Sequence, residues 1–189
     1  RDGREGKCVA FYSYKDIEKL EKFMKGKPVA EQEIGKQLLN ETVAYAATSV
    51  CRRRVLLHYF GEIYDQDNCN SCDNCLHPKT QMEAQEEVQL LLEAVIAVKE
   101  KFAADHVVNV LTGKEDKIIK DYQHNGLEVF GEGADKDAKF WTAVIRQTLL
   151  AGLLEKDIDN YGLLKITPGG KDFLKNPTSF MVTQDHDFD

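Results

Sequence analysis

Three cysteines crowded into seven residues constrain this chain more than any other feature of its sequence. The run Cys69-Asn-Ser-Cys72-Asp-Asn-Cys75 places thiols at positions i, i+3 and i+6. A loop with this spacing can wrap one metal ion, and zinc takes four such ligands at tetrahedral corners, with sulfur about 2.3 Å away. The sequence therefore predicts that a metal holds this loop together.

The fourth ligand must come from outside the loop. Cys51, on the predicted helix that precedes it, is the best match, and the alternatives are His58, His77 and Cys8. Cys8 lies in an apolar stretch, so we expect it to be a small buried residue instead. An iron–sulfur cluster is a minor alternative to zinc, because similar cysteine spacings hold those clusters. Four sulfur ligands leave no open coordination position, so we predict a structural site and not a catalytic one.

The composition is that of a folded protein with one large domain or two small ones. The chain has 189 residues, of which 42% are hydrophobic and 30% charged. Five cysteines without a signal peptide argue against a disulfide framework. No apolar run is long enough to cross a bilayer, so we expect no membrane partner. The chain begins without Met or an apolar signal core, which predicts a fragment of a longer protein.

Charge is distributed unevenly along the chain. The net charge is −7 overall, +1 over residues 1–80 and −8 over residues 81–189. This balance disfavours indiscriminate nucleic-acid binding, which needs a basic face. Residues 107–175 carry 10 basic and 11 acidic side chains, so DNA affinity there is expected to be modest and salt-sensitive. An alternative function for the acidic face of residues 81–106 and the acidic tail is to recruit a basic protein partner.

Hydrophobic periodicity predicts an α+β chain that is mostly helical. Residues 153–158 and 163–167 flank an Asn/Gly-containing turn and predict a β-hairpin. Residues 82–175 then have the order helix–helix–helix–hairpin, which is typical of a winged-helix domain. The predicted fold class is thus a zinc-binding helical subdomain followed by a winged-helix domain with a β-hairpin wing. A strand is predicted over residues 7–14, and helices over residues 16–24, 34–47, 51–60, 85–102, 107–111, 115–121 and 140–151.

The cysteine block and its flanks resemble a known family. CRRRVLLHYFGE, from Cys51 to Glu62, followed by CNSCDNC resembles the zinc-binding subdomain of RecQ-family DNA helicases. Arg1-Asp2-Gly3 resembles the end of that family's last helicase motif. FGEGADK, from Phe130 to Lys136, with the Trp141 region after it, is similar to the family's winged-helix domain.

The resemblance implies a division of the chain and a set of ligands. Residues 1–27 would be the end of the motor domain, 28–80 the zinc-binding subdomain, 81–175 the winged-helix domain, and 176–189 a tail or linker. The four zinc ligands would be Cys51, Cys69, Cys72 and Cys75. Arg1 would be a remnant of the nucleotide-binding site.

The resemblance also implies an activity for the parent protein. It would be an ATP-dependent 3′-to-5′ DNA helicase that uses ATP and magnesium in repair and recombination. Its location would be cytoplasmic, as a bacterial nucleoid-associated protein, or otherwise intracellular. This chain has no GxxxxGK[ST] loop and no Asp-Glu-x-His box. We therefore expect the fragment alone to be inactive and to serve as a DNA-binding accessory region. A further alternative is an independent zinc-containing winged-helix regulator.

Five residues are candidate DNA contacts, each with a structural alternative. Arg52 and Arg53 could contact phosphates of duplex or tailed DNA, although one or two of the three consecutive arginines are expected to pair with acidic neighbours. Lys136 precedes a helix start that could seat a phosphate, unless Asp135 and Asp137 neutralise it.

Arg146 and Tyr161 complete the five candidates. Arg146 can face DNA or support a buried network, and the structural role is favoured. Tyr161 lies in the predicted wing tip, where the RecQ family often carries an aromatic residue that parts the first base pair. The wing is short here, as in bacterial members. Trp141 is expected to be part of the core and not a base-stacking platform.

Overall fold

The computed structural model describes residues 6–158 and 160–188, and these form two units along the chain. The first, which we call the cysteine unit, spans residues 14–76. It contains α1 (Tyr14–Met24), α2 (Val29–Ala47), α3 (Arg52–Tyr59) and α4 (Asp73–Leu76). Gly26 separates α1 from α2 with a φ of +97°, a backbone conformation that glycine adopts without a steric penalty.

The second unit, which we call the winged-helix unit, spans residues 81–183. Its helical part and its hairpin follow the predicted order, so the predicted fold class is confirmed. Its elements are β1 (Gln81–Glu83), α5 (Gln85–Ala97), α6 (Ala104–Thr112), α7 (Lys117–Asp121), a 3₁₀ turn (His124–Gly126), α8 (Ala138–Leu150), β2 (Leu154–Asp157), β3 (Leu163–Ile166), α9 (Pro168–Lys175) and β4 (Met181–Thr183). None of the helices in this described part of the chain is long and apolar enough to span a bilayer.

The main hydrophobic core lies in the winged-helix unit. The apolar faces of α5, α6 and α8 meet there and are closed by the hairpin and α9. Trp141 is fully buried at the centre, and its indole N–H donates to the carbonyl of Gly133 at 2.9 Å. A buried indole needs such an acceptor. The expectation that Trp141 is a core residue is confirmed.

Side chains in this unit mark where helices begin. The Asp116 carboxylate accepts a hydrogen bond from the N–H of Ile119, and Asp137 accepts one from Phe140. The Thr167 hydroxyl accepts one from Gly170. Such caps satisfy N–H groups that have no partner within the helix, so they fix the starts of α7, α8 and α9.

The wing is a two-stranded antiparallel hairpin in the predicted place. Leu154 pairs with Ile166 and Asp157 with Leu163. Ala103, just before α6, bridges to Leu163 and joins the hairpin to the helical core. The hairpin prediction is therefore confirmed.

The structure differs from the prediction of a tail or linker over residues 176–189. Strand β4 pairs with β1, so that Met82 lies opposite Val182. Val182 is buried. A three-residue strand shows too little alternation to stand out in the sequence, and its partner is far away along the chain.

The amino-terminal segment also differs from its prediction. Residues 6–13 are described and contain no strand, and α1 begins at Tyr14. The predicted burial of Cys8 is wrong, because Cys8 is exposed. Among the described residues no strand pairs with this segment, and an apolar run alone does not make a sheet. The nucleotide-site prediction for Arg1 lies outside the described residues.

Two histidines form a buried pair that the sequence did not indicate. His106 and His124 share a hydrogen bond of 2.8 Å between Nε2 of the first and Nδ1 of the second. The ring of Phe102 stacks on His106 with centroids 4.0 Å apart. Burial lowers the pKa of both histidines, and the charge of His124 adds to the effect on His106, so the pair is neutral near pH 7.

Replacing Gly133 with Ala should destabilise the winged-helix unit. A Cβ at this position would lie 2.4 Å from Cζ2 of Trp141, which is fully buried and has no room to move. We expect a loss of about 1–3 kcal/mol, typical of overpacking, measured by urea unfolding followed by Trp fluorescence. Gly126→Ala is the matched control, because nothing lies within 4 Å of a Cβ there. Equal stability of the two variants would contradict this packing.

Acidification should destabilise the fold through the histidine pair. Because both folded-state pKa values lie below the ordinary 6.5, the neutral pair's contribution is full above about pH 6.5 and is lost as pH falls through the lowered values. The thermal midpoint should therefore fall as the pH is lowered below about 6.5. His106→Gln should flatten that fall, whereas the exposed His58→Gln should leave it unchanged. An unchanged slope in His106→Gln would contradict the assignment.

Candidate metal centre and nucleic-acid interface

The four cysteines predicted to bind metal come together in the structure. The sulfur atoms of Cys51, Cys69, Cys72 and Cys75 all lie within 4.8 Å of one another. Those of Cys69 and Cys75 are 3.8 Å apart, close to the edge of about 3.8 Å that a tetrahedron with 2.3 Å zinc–sulfur bonds requires. His58, His77 and Cys8 are not part of this cluster, which supports Cys51 as the fourth ligand.

Two short helices and the loop between them direct these sulfurs to a common point. Cys51 is buried at the start of α3, and Cys72 stands at the start of α4, one turn before Cys75. The backbone N–H of Cys72 donates to the sulfur of Cys69 at 3.4 Å, and that of Cys69 donates to the sulfur of Cys75 at 3.4 Å. N–H groups directed at sulfur stabilise thiolates, which are the metal-binding form.

The thiol pKa values indicate why a cation belongs here. Burial opposes ionisation of Cys69, but hydrogen bonds from Cys72 and Ser71 outweigh it and lower the pKa to about 6. Burial raises the pKa of Cys75 to about 12, and hydrogen bonding with the neighbouring thiols adds to the rise. One thiolate therefore forms readily, and further negative charge in the same place is resisted. A divalent cation removes that repulsion, and all-sulfur tetrahedral donors favour zinc.

Arg52 holds the scaffold of the metal centre. Its Nε and Nη2 donate to the two carboxylate oxygens of Asp73 at 2.6 and 2.8 Å, and Nη1 donates to the carbonyl of Tyr45 at 2.6 Å. The hydrogen bond to Asp73 raises the pKa of Arg52 and lowers that of Asp73. One guanidinium thus joins the end of α2 to the start of α4, with a bidentate geometry that lysine lacks.

Asn74 is a functional residue that the sequence analysis missed. It lies between Cys72 and Cys75 and is 5% exposed. Its side-chain nitrogen donates to the carbonyls of Thr48 at 2.7 Å and Val50 at 2.8 Å, the segment that leads into Cys51. Asn74 therefore joins the two arms that carry the ligands. The only signal in the sequence was its place inside the cysteine motif.

The other two arginines of the triplet have different environments. Arg54 donates to Asp67 at 3.0 Å and to the carbonyl of Leu150 at 3.4 Å, which joins the cysteine unit to the end of α8. Arg53 is exposed. The expectation that one or two of the three pair with acidic neighbours is confirmed by Arg52 and Arg54.

Lys136 lies at the start of α8 and is partly covered. Its ammonium pairs with Asp135 and stands 5.8 Å from the centre of the Phe140 ring. The pairing raises the pKa of Lys136 and lowers that of Asp135. Asp137 already caps α8, so of its two acidic neighbours Asp135 is the one that offsets the lysine charge.

Arg146 faces the carboxy-terminal segment. Its Nη1 donates to a carboxylate oxygen of Asp185, and the two side chains are 13% and 16% exposed. Burial raises the pKa of Asp185, with the guanidinium opposing that rise. The structure thus places Arg146 in the structural role that the sequence analysis favoured.

Tyr161 stands at the tip of the wing and is 64% exposed. Its φ is +58°, which a bulky residue seldom adopts. The N–H of Gly162 donates to the carbonyl of Asp157 at 2.8 Å and closes the turn. Lys156 at the base of this loop pairs with Glu41 of α2, so the wing rests against the cysteine unit.

Losing one sulfur ligand should remove the metal and the stability of the cysteine unit together. In Cys72→Ser we expect zinc content, measured by mass spectrometry of the metal, to fall from about one per chain to a small fraction. The midpoint of thermal unfolding followed by circular dichroism should fall with it. Cys8→Ser is the matched control, because Cys8 is exposed and outside the cluster. Full metal loss with an unchanged melt would contradict a structural ion.

Comparisons with known proteins match both units. Residues 14–76 match the RecQ zinc-binding family and residues 78–189 the RQC domain family. The chain is 33% identical over 177 residues to the ATP-dependent DNA helicase RecQ of Pasteurella multocida, and 34% identical over 177 residues to that of Haemophilus influenzae. Each alignment covers 93% of this chain and 28% of the relative.

A third relative is more distant. The ATP-dependent DNA helicase RecQ of Bacillus subtilis is 31% identical over 133 residues, which cover 69% of this chain and 22% of the relative. The chain thus spans between a fifth and a third of the length of these relatives. The two matched families account for nearly all of its residues, and on this evidence the chain belongs to the RecQ helicase family, with a RecQ zinc-binding domain and an RQC domain.

Proposed function

We propose that this chain grips duplex DNA and positions it for unwinding by an ATP-dependent 3′-to-5′ helicase motor, in repair and recombination. The motor, with its ATP and magnesium sites, would lie elsewhere in the parent protein, and the fragment alone would be inactive as a helicase. The relatives are named as ATP-dependent DNA helicases, and this chain has no GxxxxGK[ST] loop. The parent protein would act inside the cell, because its proposed substrate, chromosomal DNA, is there.

One observation carries this proposal: the wing and α8 each contact the cysteine unit through a charged side chain. Lys156 of the wing pairs with Glu41 of α2, and Arg54 of α3 donates to the carbonyl of Leu150 at the end of α8. A module that must hold a duplex against the pull of a motor needs such a rigid mount. The ion would hold the cysteine unit together, and that unit is the surface against which the wing and α8 rest.

We place the DNA contacts on the exposed candidates. Arg53 presents an exposed guanidinium on α3, and Lys136 offers an ammonium beside α8 whose partner Asp135 is itself exposed. Phosphate would compete with Asp135 for that lysine, since both are anionic oxygens. Tyr161 would contact the end of the duplex. Arg52 and Arg146 would support the site and not touch DNA, because their guanidinium groups are engaged within the protein.

We further propose that the chain divides near residue 80. Residues 28–80 would form the zinc platform, and residues 81–175 the winged helix that binds DNA. Residues 176–189 would belong to the winged-helix unit and not form a linker, because β4 pairs with β1.

Fluorescence anisotropy tests the proposal directly. The zinc-loaded fragment should bind a blunt duplex and a duplex with a 3′ tail more tightly than a single strand, and affinity should fall as salt rises. Arg53→Ala and Lys136→Ala should each weaken duplex binding and reduce the slope of log affinity against log salt by about one.

Lys19→Ala is the control for this series, because Lys19 pairs with Asp16 on α1, a helix that carries none of the proposed contacts. It should bind as the unmodified chain does. Tyr161→Ala should weaken binding to the duplexes more than to the single strand. Absence of binding to all three DNAs by a folded, zinc-loaded sample would overturn the proposal and favour the alternative of an acidic protein-interaction module.

A further inference from the structure

The segment of residues 179–187, which we call the strap, joins the two units at a place where the sequence predicted a tail. Its strand β4 pairs with β1, and the N–H of Phe180 donates to the Glu83 carboxylate at 2.8 Å. The strap then continues past α8 to the segment that precedes Cys51.

One side of the strap is bound to α8. Gln147 donates from its amide nitrogen to the carbonyl of Thr183 at 2.8 Å, and its amide oxygen accepts from the N–H of Thr183 at 3.0 Å. This reciprocal pair imitates a strand pairing. Two residues further on, Asp185 forms its ion pair with Arg146 among largely buried side chains. A buried pair of this kind is costly to break from one side.

The other side of the strap is bound to the cysteine unit. The hydroxyl of Ser49 donates to that of Thr183 at 2.7 Å, and the N–H of His186 donates to the carbonyl of Ala47 at 2.7 Å. Lys79, between the units, donates to the carbonyl of Asp185 at 2.7 Å. Within the few residues from Thr183 to His186, the strap is thus bound to both units.

His186 brings the strap next to the metal ligands. Its Nε2 lies 2.8 Å from the side-chain oxygen of Asn74, whose nitrogen already donates to Thr48 and Val50. Because the amide oxygen can only accept, Nε2 of His186 carries the proton. All three hydrogen bonds of Asn74 are then fixed in direction, and the amide is held between the two cysteine arms.

We propose that the strap couples zinc retention in the cysteine unit to the docking of the winged-helix unit, with His186 as the positioning residue. His186 orients Asn74, and Asn74 holds the arm of Cys51 against that of Cys72 and Cys75. The ion pair of Arg146 and Asp185 anchors the same strap on α8. By thermodynamic linkage the coupling acts in both directions. A docked strap slows the loss of zinc, and an ion that binds only the closed cysteine unit also stabilises the docked strap.

The proposal concerns the fold and holds whether or not the chain binds DNA. It predicts an effect on zinc from residues that do not touch it, which a local packing role for the strap would not give. Hydrogen-bonded partners of metal ligands commonly alter metal affinity by about 10–100-fold when they are removed. Asn74 donates to the carbonyls of Thr48 and Val50, next to the ligand Cys51, and His186 lies one hydrogen bond beyond Asn74. We therefore expect an effect at the lower end of that range.

Zinc release to a chromogenic chelator, followed in the intact chain, is the first measurement. His186→Ala should release zinc about tenfold faster than the unmodified chain. His186→Gln should restore slow release in large part, since its amide can donate to Asn74. His58→Ala is the matched control, because His58 is exposed and outside the cluster. Equal release rates for His186→Ala and His58→Ala would overturn the proposal.

Hydrogen exchange supplies the reciprocal test and a second variant. Removing zinc should speed amide exchange at residues 181–186, while the buried face of α5 stays protected. Asp185→Asn breaks the far anchor without touching Asn74, and it should also speed zinc release, which keeps the test decisive if His186→Ala does not fold. Unchanged exchange of the strap on zinc removal, or unchanged release in Asp185→Asn, would overturn the coupling.

Discussion

The cysteine unit depends on its sulfur cluster for stability, because it has almost no hydrophobic core of its own. None of the described residues of α2 or α3 is buried, whereas α5 and α8 each bury five or more. The loop between Phe60 and Cys72 has no regular structure to hold it. Four thiolates on one ion would replace the apolar area that is missing, since metal-binding free energy in such a site is folding free energy.

The polar contacts around the cluster follow from the same constraint. A small unit without a core must satisfy its buried polar groups one by one. Arg52 does so by bridging the end of α2 and Asp73, and Asn74 does so for the carbonyls before Cys51. Arg52, which is conspicuous in the sequence, and Asn74, which is not, therefore both hold the ligands in place. The basic run was conspicuous because of its charge, but its first member has a structural task.

Features that depend on residues close together in the sequence were predicted, and features that depend on distant partners were not. The cysteine spacing, the amphipathic helices and the hairpin at residues 154–166 each rest on neighbours within a few residues, and each was predicted. Strand β4 and the pair of His106 and His124 rest on partners far along the chain, and neither was. The strand expected at residues 7–14 failed for the same reason, because an apolar run becomes a strand only where another strand pairs with it. Of the site, the four ligands were predictable and Asn74 was not.

Several cations of this chain join its own parts, and this bears on how it would meet DNA. Arg54 and Lys156 each link the cysteine unit to the winged-helix unit, and Arg146 links α8 to the strap. Cations engaged in this way add little to a phosphate-binding face. The exposed cations, among them Arg53, belong to a chain with a net charge of −7 and would give weak, salt-sensitive attraction. Specific placement of a duplex would then depend on the fixed geometry of wing and platform more than on the number of contacts. The wing contacts α2 and the strap contacts α8, so the two units are joined at two places. This arrangement favours placing a duplex by fixed geometry over binding it tightly.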